Sequence, residues 1–263
     1  VHHEGRIYAI GGDTAAGVTG LTEVYDVGTR GWSTAASKPT PAGNIGAAVA
    51  GGRIWVPGGF LAGGEVATVV ESYDLATGRW QREPALPEPI CAYAIAALGG
   101  DIYLFGGANN AGYMDVAYRY DLDAGAWEEL PPLPAPRAFA AAAVLNGKIY
   151  VAGGYNGERE LDDCLVYDPA GEAAGDPWSE CEGLTAARGG LGLAAVGANL
   201  YAVGGGWGSY LAYNEEYLAG EDRWESLNSP VAGEWRNVAV VADQHRVYVL
   251  GGWSDGSYLD GLR

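Results

Sequence analysis

Ile7-Tyr-Ala-Ile-Gly-Gly12, Ile54-Trp-Val-Pro-Gly-Gly59, Ile102-Tyr-Leu-Phe-Gly-Gly107, Ile149-Tyr-Val-Ala-Gly-Gly154, Leu200-Tyr-Ala-Val-Gly-Gly205 and Val247-Tyr-Val-Leu-Gly-Gly252 are six versions of one phrase: an apolar run closed by two glycines. The first glycines stand at 11, 58, 106, 153, 204 and 251, so successive differences are 47, 48, 47, 51 and 47. A period near fifty residues is the mark of a repeat architecture.

Outward from each glycine pair the repeat has further fixed parts. Tyr25-Asp26, Tyr73-Asp74, Tyr120-Asp121 and Tyr167-Asp168 follow, with Tyr217-Leu218 as a variant, and then Trp32, Trp80, Trp127, Trp178 and Trp224. Tyr and Trp are 7 apart in four copies and 11 apart in the fourth (178 − 167), which accounts for the step of 51 and puts an insertion in the turn between Pro169 and Pro177.

The combination of hydrophobic run, Gly-Gly, Tyr-Asp and Trp at this spacing resembles the kelch repeat, and it covers essentially the whole chain. The resemblance implies an all-β fold, a six-bladed β-propeller of four-stranded antiparallel blades, as a single domain over residues 1–263. The first and last repeats are incomplete in sequence. If a sixth step of 47 closed the circle, about 24 residues after 263 would be needed, so the chain reads as a fragment with its ring incomplete at the termini, fused to further sequence in a longer parent.

Composition narrows the partners. Lys and Arg number 15 against 33 Asp and Glu, for a net charge of −18. Such a field repels phosphate backbones and anionic lipid, so neither nucleic acid nor a membrane surface is an expected partner. The apolar runs are strand-sized and too short to span a bilayer as helices.

Each unit reads as a meander of strands A to D. Strand A is small and apolar, at 47–50, 94–98, 140–145, 193–196 and 238–242, as suits the innermost strand. Residues 138–144 have helical propensity, but the run is short, follows Pro136 and ends at Asn146-Gly147, so a strand is expected. Strand B is the apolar run, hydrophobic on both faces because both are covered. Gly51-Gly52, Gly99-Gly100 and Asn146-Gly147 suit tight A–B hairpins, and the diglycine marks a dihedral or a close approach that other residues resist. Strand C ends at Tyr-Asp and D begins at Trp, both expected in the blade core. The longer B–C and D–A connections then emerge together on one end of the ring, where loops on a rigid scaffold carry binding.

On that face lie Asp13, Phe60, Asn109, Tyr155, Asn156, Trp207 and Trp253, just beyond the glycine pairs, and Asn44, Arg137, Arg188, Trp235 and Arg236 at the entry to strand A. Arg137 and Arg188 each precede a first glycine by 16 (153 − 137, 204 − 188), while Arg236 precedes its own by 15. In kelch domains that bind peptides, arginines at this loop and residues after the diglycine are contact positions, so the resemblance implies a rim of guanidiniums and aromatics. Arg offers a bidentate fork to carboxylates and Trp or Tyr a flat platform. The competing structural role is for each Arg to pair with a loop carboxylate such as Glu182 or Glu234.

The expected function is therefore a non-catalytic binding module for a protein or peptide segment, with no cofactor or metal. The alternative is a carbohydrate-active propeller resembling the sialic-acid mutarotases, which bind a sugar acid. A buried charged pocket at the rim, with a carboxylate opposite Arg137 or Arg188, would favour the enzyme; a broad aromatic ring would favour the scaffold. Gly252-Trp-Ser-Asp-Gly256 matches Gly-x-Ser-x-Gly, but no helix follows, and the three histidines lie away from the loop face. Asp121-Leu-Asp-Ala-Gly125 opens like a calcium loop but lacks the later ligands, and a C–D turn is expected there. His2-His3-Glu4 holds a metal only if the terminus folds back. With three histidines, two of them at the extreme terminus, the chain lacks the tyrosine and histidine ligands of the copper oxidase built on kelch-like repeats.

The cysteines leave two readings. If Tyr167 faces Trp178 across the C–D hairpin, Cys164 faces Cys181, since both pairs sum to 345. They then form either a cross-strand disulfide or two buried thiols. Cys91 has no evident mate.

Overall fold

A computed structural model describes residues 1–206, 214–229, 235–254 and 256–262. Among them are five four-stranded antiparallel sheets, each a simple meander with strand A paired to B, B to C and C to D. The first comprises His2–His3, Arg6–Thr14, Gly17–Asp26 and Gly31–Ala35; the second Ala48–Ala50, Arg53–Pro57, Val70–Asp74 and Arg79–Glu83. The third has Ala94–Leu98, Asp101–Phe105, Ala117–Asp121 and Ala126–Glu129, and the fourth Ala141–Leu145, Lys148–Ala152, Cys164–Tyr167 and Trp178–Cys181. The fifth has Gly192–Val196, Asn199–Val203, Asn214–Leu218 and Arg223–Leu227. The alanine-rich run after Pro136 is a strand, with Ala142 opposite Val151.

The expected sixth four-stranded blade is not present as such. Among the described residues the last repeat has a two-stranded sheet of strands A and B, Ala239–Ala242 with Val247–Leu250, a second small two-stranded sheet, Trp253–Ser254 with Ser257–Tyr258, and a bridge from Leu250 to Leu262. In the other repeats the tyrosine near the end of strand C lies 13 to 15 residues after the first glycine (217 − 204, 73 − 58), a place that for Gly251 falls after Arg263.

Apolar clusters join each sheet to the next. Tyr8 packs with Ile54 and Tyr73, Trp55 with Ile102 and Tyr120, Phe105 with Val151 and Tyr167, Ala152 with Leu200 and Tyr217, and Val203 with Val249. A sixth cluster sets Tyr248 and Leu250 of the last repeat against Ile7 of the first, so the series of repeats returns to its start. The recurring Tyr and Trp explain themselves here. They stand directly opposite in each C–D pair, with ring centroids 5.2, 5.3, 5.1, 4.9 and 5.0 Å apart, a favourable aromatic separation. The indoles of Trp80, Trp127, Trp178 and Trp224 also donate to the carbonyls of Ala36, Pro84, Pro131 and Glu182 in the preceding repeat, at 2.7, 3.1, 3.0 and 2.8 Å.

The C–D turns are held by their Asp: Asp26, Asp74 and Asp121 each accept a backbone N–H three residues on, at 2.8 Å. The Asp121 segment is thus a turn, as its counterparts are. The fourth-repeat insertion forms a 3₁₀ helix, Pro169–Ala174, capped by Asp168. Its Glu172 accepts from Tyr167 Oη at 2.9 Å and from Arg119 of the third repeat at 3.2 Å, tying two sheets together.

Cys164 faces Cys181 in register, and the two are bonded. The bond closes a sequence separation of 17 residues around the insertion. Replacing both by alanine is expected to lower stability by about 2–3 kcal/mol, through the freer unfolded chain. Denaturant titrations with and without dithiothreitol check this: the reductant should shift the midpoint of the parent protein and leave that of the variant in place. Cys91 is buried and unbonded, and burial pushes its thiol up to about 11.

Candidate functional site

The loop face is built on backbone that the repeats share across their boundaries. In five repeats the second glycine donates its N–H to a carbonyl in the next: Gly12 to Ala42, Gly59 to Ile90, Gly107 to Arg137, Gly154 to Arg188 and Gly205 to Trp235, at 2.8–2.9 Å. This contact is why the first glycine is required. At Gly106 φ is 61°, and a Cβ would overlap the Arg137 carbonyl oxygen. The acceptor always lies 16 residues before its own repeat's first glycine (58 − 42, 106 − 90, 153 − 137, 204 − 188, 251 − 235). Trp235, rather than Arg236, is therefore the counterpart of Arg137 and Arg188.

Two residues on, a second belt of inter-repeat bonds runs through Asn44, Ala92, Phe139, Gly190 and Asn237. The N–H of Ala92 donates to Asn44 O, Phe139 to Ala92 O, Gly190 to Phe139 O and Asn237 to Gly190 O, at 2.7, 2.7, 2.8 and 2.7 Å. All five have positive φ, of 50°, 54°, 57°, 70° and 52°. Left-handed backbone costs an alanine or phenylalanine about 1–3 kcal/mol, and the belt of hydrogen bonds is what holds it.

The sequence-predicted residues fall into three groups. Arg137 and Arg188 are 1 % and 0 % exposed. Arg137 donates to Asp163 at 2.9 Å and to the Gly153 carbonyl at 3.4 Å; Arg188 pairs with Glu215 and donates to the Gly204 carbonyl at 3.1 Å. The carboxylates they are seen to pair with lie on strand C or just before it rather than at Glu182; Glu234 lies outside the described residues. Glu215 also accepts the Thr185 N–H at 2.9 Å. Trp235 is buried too and donates its indole N–H to Gly251 O at 3.2 Å. All three brace the first glycine of their own repeat. A third buried cation was missed in the sequence: Lys38, whose Nζ is 2.8 Å from Glu71. Burial lowers both Lys38 and Arg137 from their usual ranges, opposed by Glu71 and Asp163.

The asparagines shape loops. Asn109 Oδ1 accepts the Ala111 N–H at 2.8 Å, and Asn156 Oδ1 those of Glu158 and Arg159 at 2.9 Å each. Asn44 belongs to the belt.

The third group is open to solvent. Phe60 is 37 % exposed, and Tyr155 and Trp253 are half-buried. Each sits two residues after a first glycine (60 − 58, 155 − 153, 253 − 251), in the second, fourth and sixth repeats; Asp13, Ala108 and Gly206 fill this place in the others. Phe60, Tyr155 and Trp253 are each bridged to the entry of their own strand A, at Gly43, Ala138 and Arg236, which brings B–C and D–A loops together as the meander requires. Two exposed tyrosines join this set without having been singled out. Tyr113 is 37 % exposed and edge-on to Tyr155 at 5.4 Å; Tyr258 is 45 % exposed and edge-on to Trp253 at 4.8 Å. Both lie seven residues after a first glycine (113 − 106, 258 − 251), and that shared offset was the signal. Trp207 lies outside the described residues.

A cavity of about 200 Å³ lies between the fifth and last repeats, lined by Tyr201, Val203, Glu215, Trp235 and Val249 among others. Among the described residues no group of three or more His, Cys, Asp or Glu could hold a metal ion, and no helix is long and apolar enough to cross a membrane.

Repeated β-meanders joined in series, with a glycine pair at each inter-repeat crossing, define a kelch-type β-propeller. The family model described as the KLHDC2/KLHL20/DRC7 Kelch-repeats domain matches residues 1–205 and 85–252, and the chain belongs to this family. A solved structure titled "Structure of YjhT" is similar over 100 % of this chain and 92 % of its own, at a TM-score of 0.86 and 14 % identity; at that identity the likeness concerns the fold alone. No curated protein matches the sequence.

Proposed function

We propose that the chain is a non-catalytic binding module of the kelch propeller type and that it engages a protein or peptide segment through the B–C and D–A loops. One observation carries this: Phe60, Tyr113, Tyr155, Trp253 and Tyr258 stand partly exposed on loops anchored to a hydrogen-bonded belt. Large exposed aromatics on a rigid support bind with little ordering cost. A sugar could also use such platforms. The carboxylates opposite Arg137 and Arg188 are one feature expected of the sugar-acid reading, but both guanidiniums are buried and bonded to those carboxylates, so the exposed aromatics remain the better support for a peptide.

Panning a displayed peptide library against the protein tests the proposal. Enriched peptides are expected to lose at least about tenfold in affinity, roughly 1.4 kcal/mol, with Phe60→Ala plus Tyr155→Ala. Trp32→Ala, on the exposed strand D of the first repeat, should leave them unchanged. Enrichment of nothing, together with a thermal shift on adding N-acetylneuraminic acid, would replace the peptide reading by the sugar-acid one.

A further inference from the structure

Three cations of the loop face are sealed in ion pairs, while several of its carboxylates are exposed. Lys38, Arg137 and Arg188 are all buried and committed to Glu71, Asp163 and Glu215. In contrast, Asp13, Glu65, Asp115, Glu158 and Asp162 are exposed on the B–C loops and at the starts of strands C. Among the described residues of this face, Arg159 is the exposed cation and Arg236 is half-buried. The charge offered to a partner is thus the opposite of what the arginine positions suggest in the sequence.

The aromatic surface lies among these carboxylates. Glu65 is in the same B–C loop as Phe60, and Glu158 in that of Tyr155, with Tyr113 packed edge-on to Tyr155. An aromatic face beside a carboxylate suits a cationic side chain, which stacks on the ring and pairs with the acid. Complementary charge then adds to encounter rate and selects the partner.

We propose that the segment bound at this face is basic, a peptide carrying Lys or Arg side chains that insert among Phe60, Tyr113, Tyr155 and Trp253. This rests on the loop face being the binding surface, as proposed above. The probes are three fluorescein-labelled decapeptides of otherwise equal composition, bearing four Arg, four Glu or four Ser, followed by anisotropy in 50 and 500 mM salt. The Arg peptide is expected to bind at least tenfold more tightly than the others and to weaken severalfold at high salt, as exposed charge pairs do. Because any acidic protein attracts a polycation, two matched variants locate the contact. Glu65→Lys with Glu158→Lys on the loop face should weaken the Arg peptide about tenfold. Asp123→Lys with Asp176→Lys in the C–D turns makes the same change in net charge and should alter affinity less than twofold. Equal losses in both variants would overturn the site as the origin of selectivity. Tighter binding of the Glu or Ser peptide, still sensitive to Phe60→Ala, would overturn the basic partner and keep the binding face; indifference of every peptide to Phe60→Ala would overturn both.

Discussion

Replacing Glu215 by leucine is expected to cost the fold about 3–5 kcal/mol, more than any substitution on the loop surface. Glu215 and Arg188 are both fully buried, and the carboxylate also takes the N–H and hydroxyl of Thr185. Removing Glu215 takes from the fully buried Arg188 the carboxylate it pairs with, and the desolvation that the pair offset is then a cost to the folded state alone. Guanidinium chloride titration reads the loss as a fall in midpoint at unchanged slope. Adding Arg188→Met to Glu215→Leu removes both charges and should restore most of the loss, since a buried pair exchanged for apolar groups of similar volume is often near neutral. A single-variant loss under about 1 kcal/mol would mean that the pair is hydrated in solution.

Gly106→Ala is the second large effect, expected at about 2–5 kcal/mol. Its φ of 61° already costs an alanine about 1–2 kcal/mol. The new methyl would also overlap the Arg137 carbonyl, displacing the acceptor that Gly107 reaches at 2.8 Å and leaving buried polar groups unsatisfied, about 1–3 kcal/mol more. Gly99→Ala separates the two contributions. Gly99 has a φ of 67° but nothing within 4 Å of an added Cβ, so it should lose the dihedral part alone. If the two variants unfold together, the inter-repeat approach contributes nothing, and the glycine pair is a matter of dihedral angle only.

The two cases show where the sequence was legible. The periodic Gly-Gly, Tyr-Asp and Trp gave the strands, their order and the pairing of Tyr with Trp, because each depends on residues within one repeat. The same arithmetic placed Cys164 opposite Cys181, though it left open whether they were bonded. Arg137 and Arg188 were also placed correctly at one shared position, yet read as free to meet a ligand. Their partners stand 10 and 11 residues beyond the following first glycine (163 − 153, 215 − 204), at offsets that do not recur closely enough to betray a pairing. Arg236 was aligned with them one residue out of register; the inter-repeat hydrogen bond to the Trp235 carbonyl sets the true correspondence.

The repeat itself, the four-stranded meander in five of its copies and the small residues at the crossings follow from local pattern, because a strand's pairing and faces are written every second residue and a repeat restates them. Which charged groups are buried, and so what sign the loop face presents, was decided only when sheets packed side by side. Burial belongs to the space between repeats, where residues distant in the chain compete for the same volume; there Lys38, Arg137 and Arg188 found their acids, and Phe60, Tyr113, Tyr258 and several carboxylates were left facing solvent.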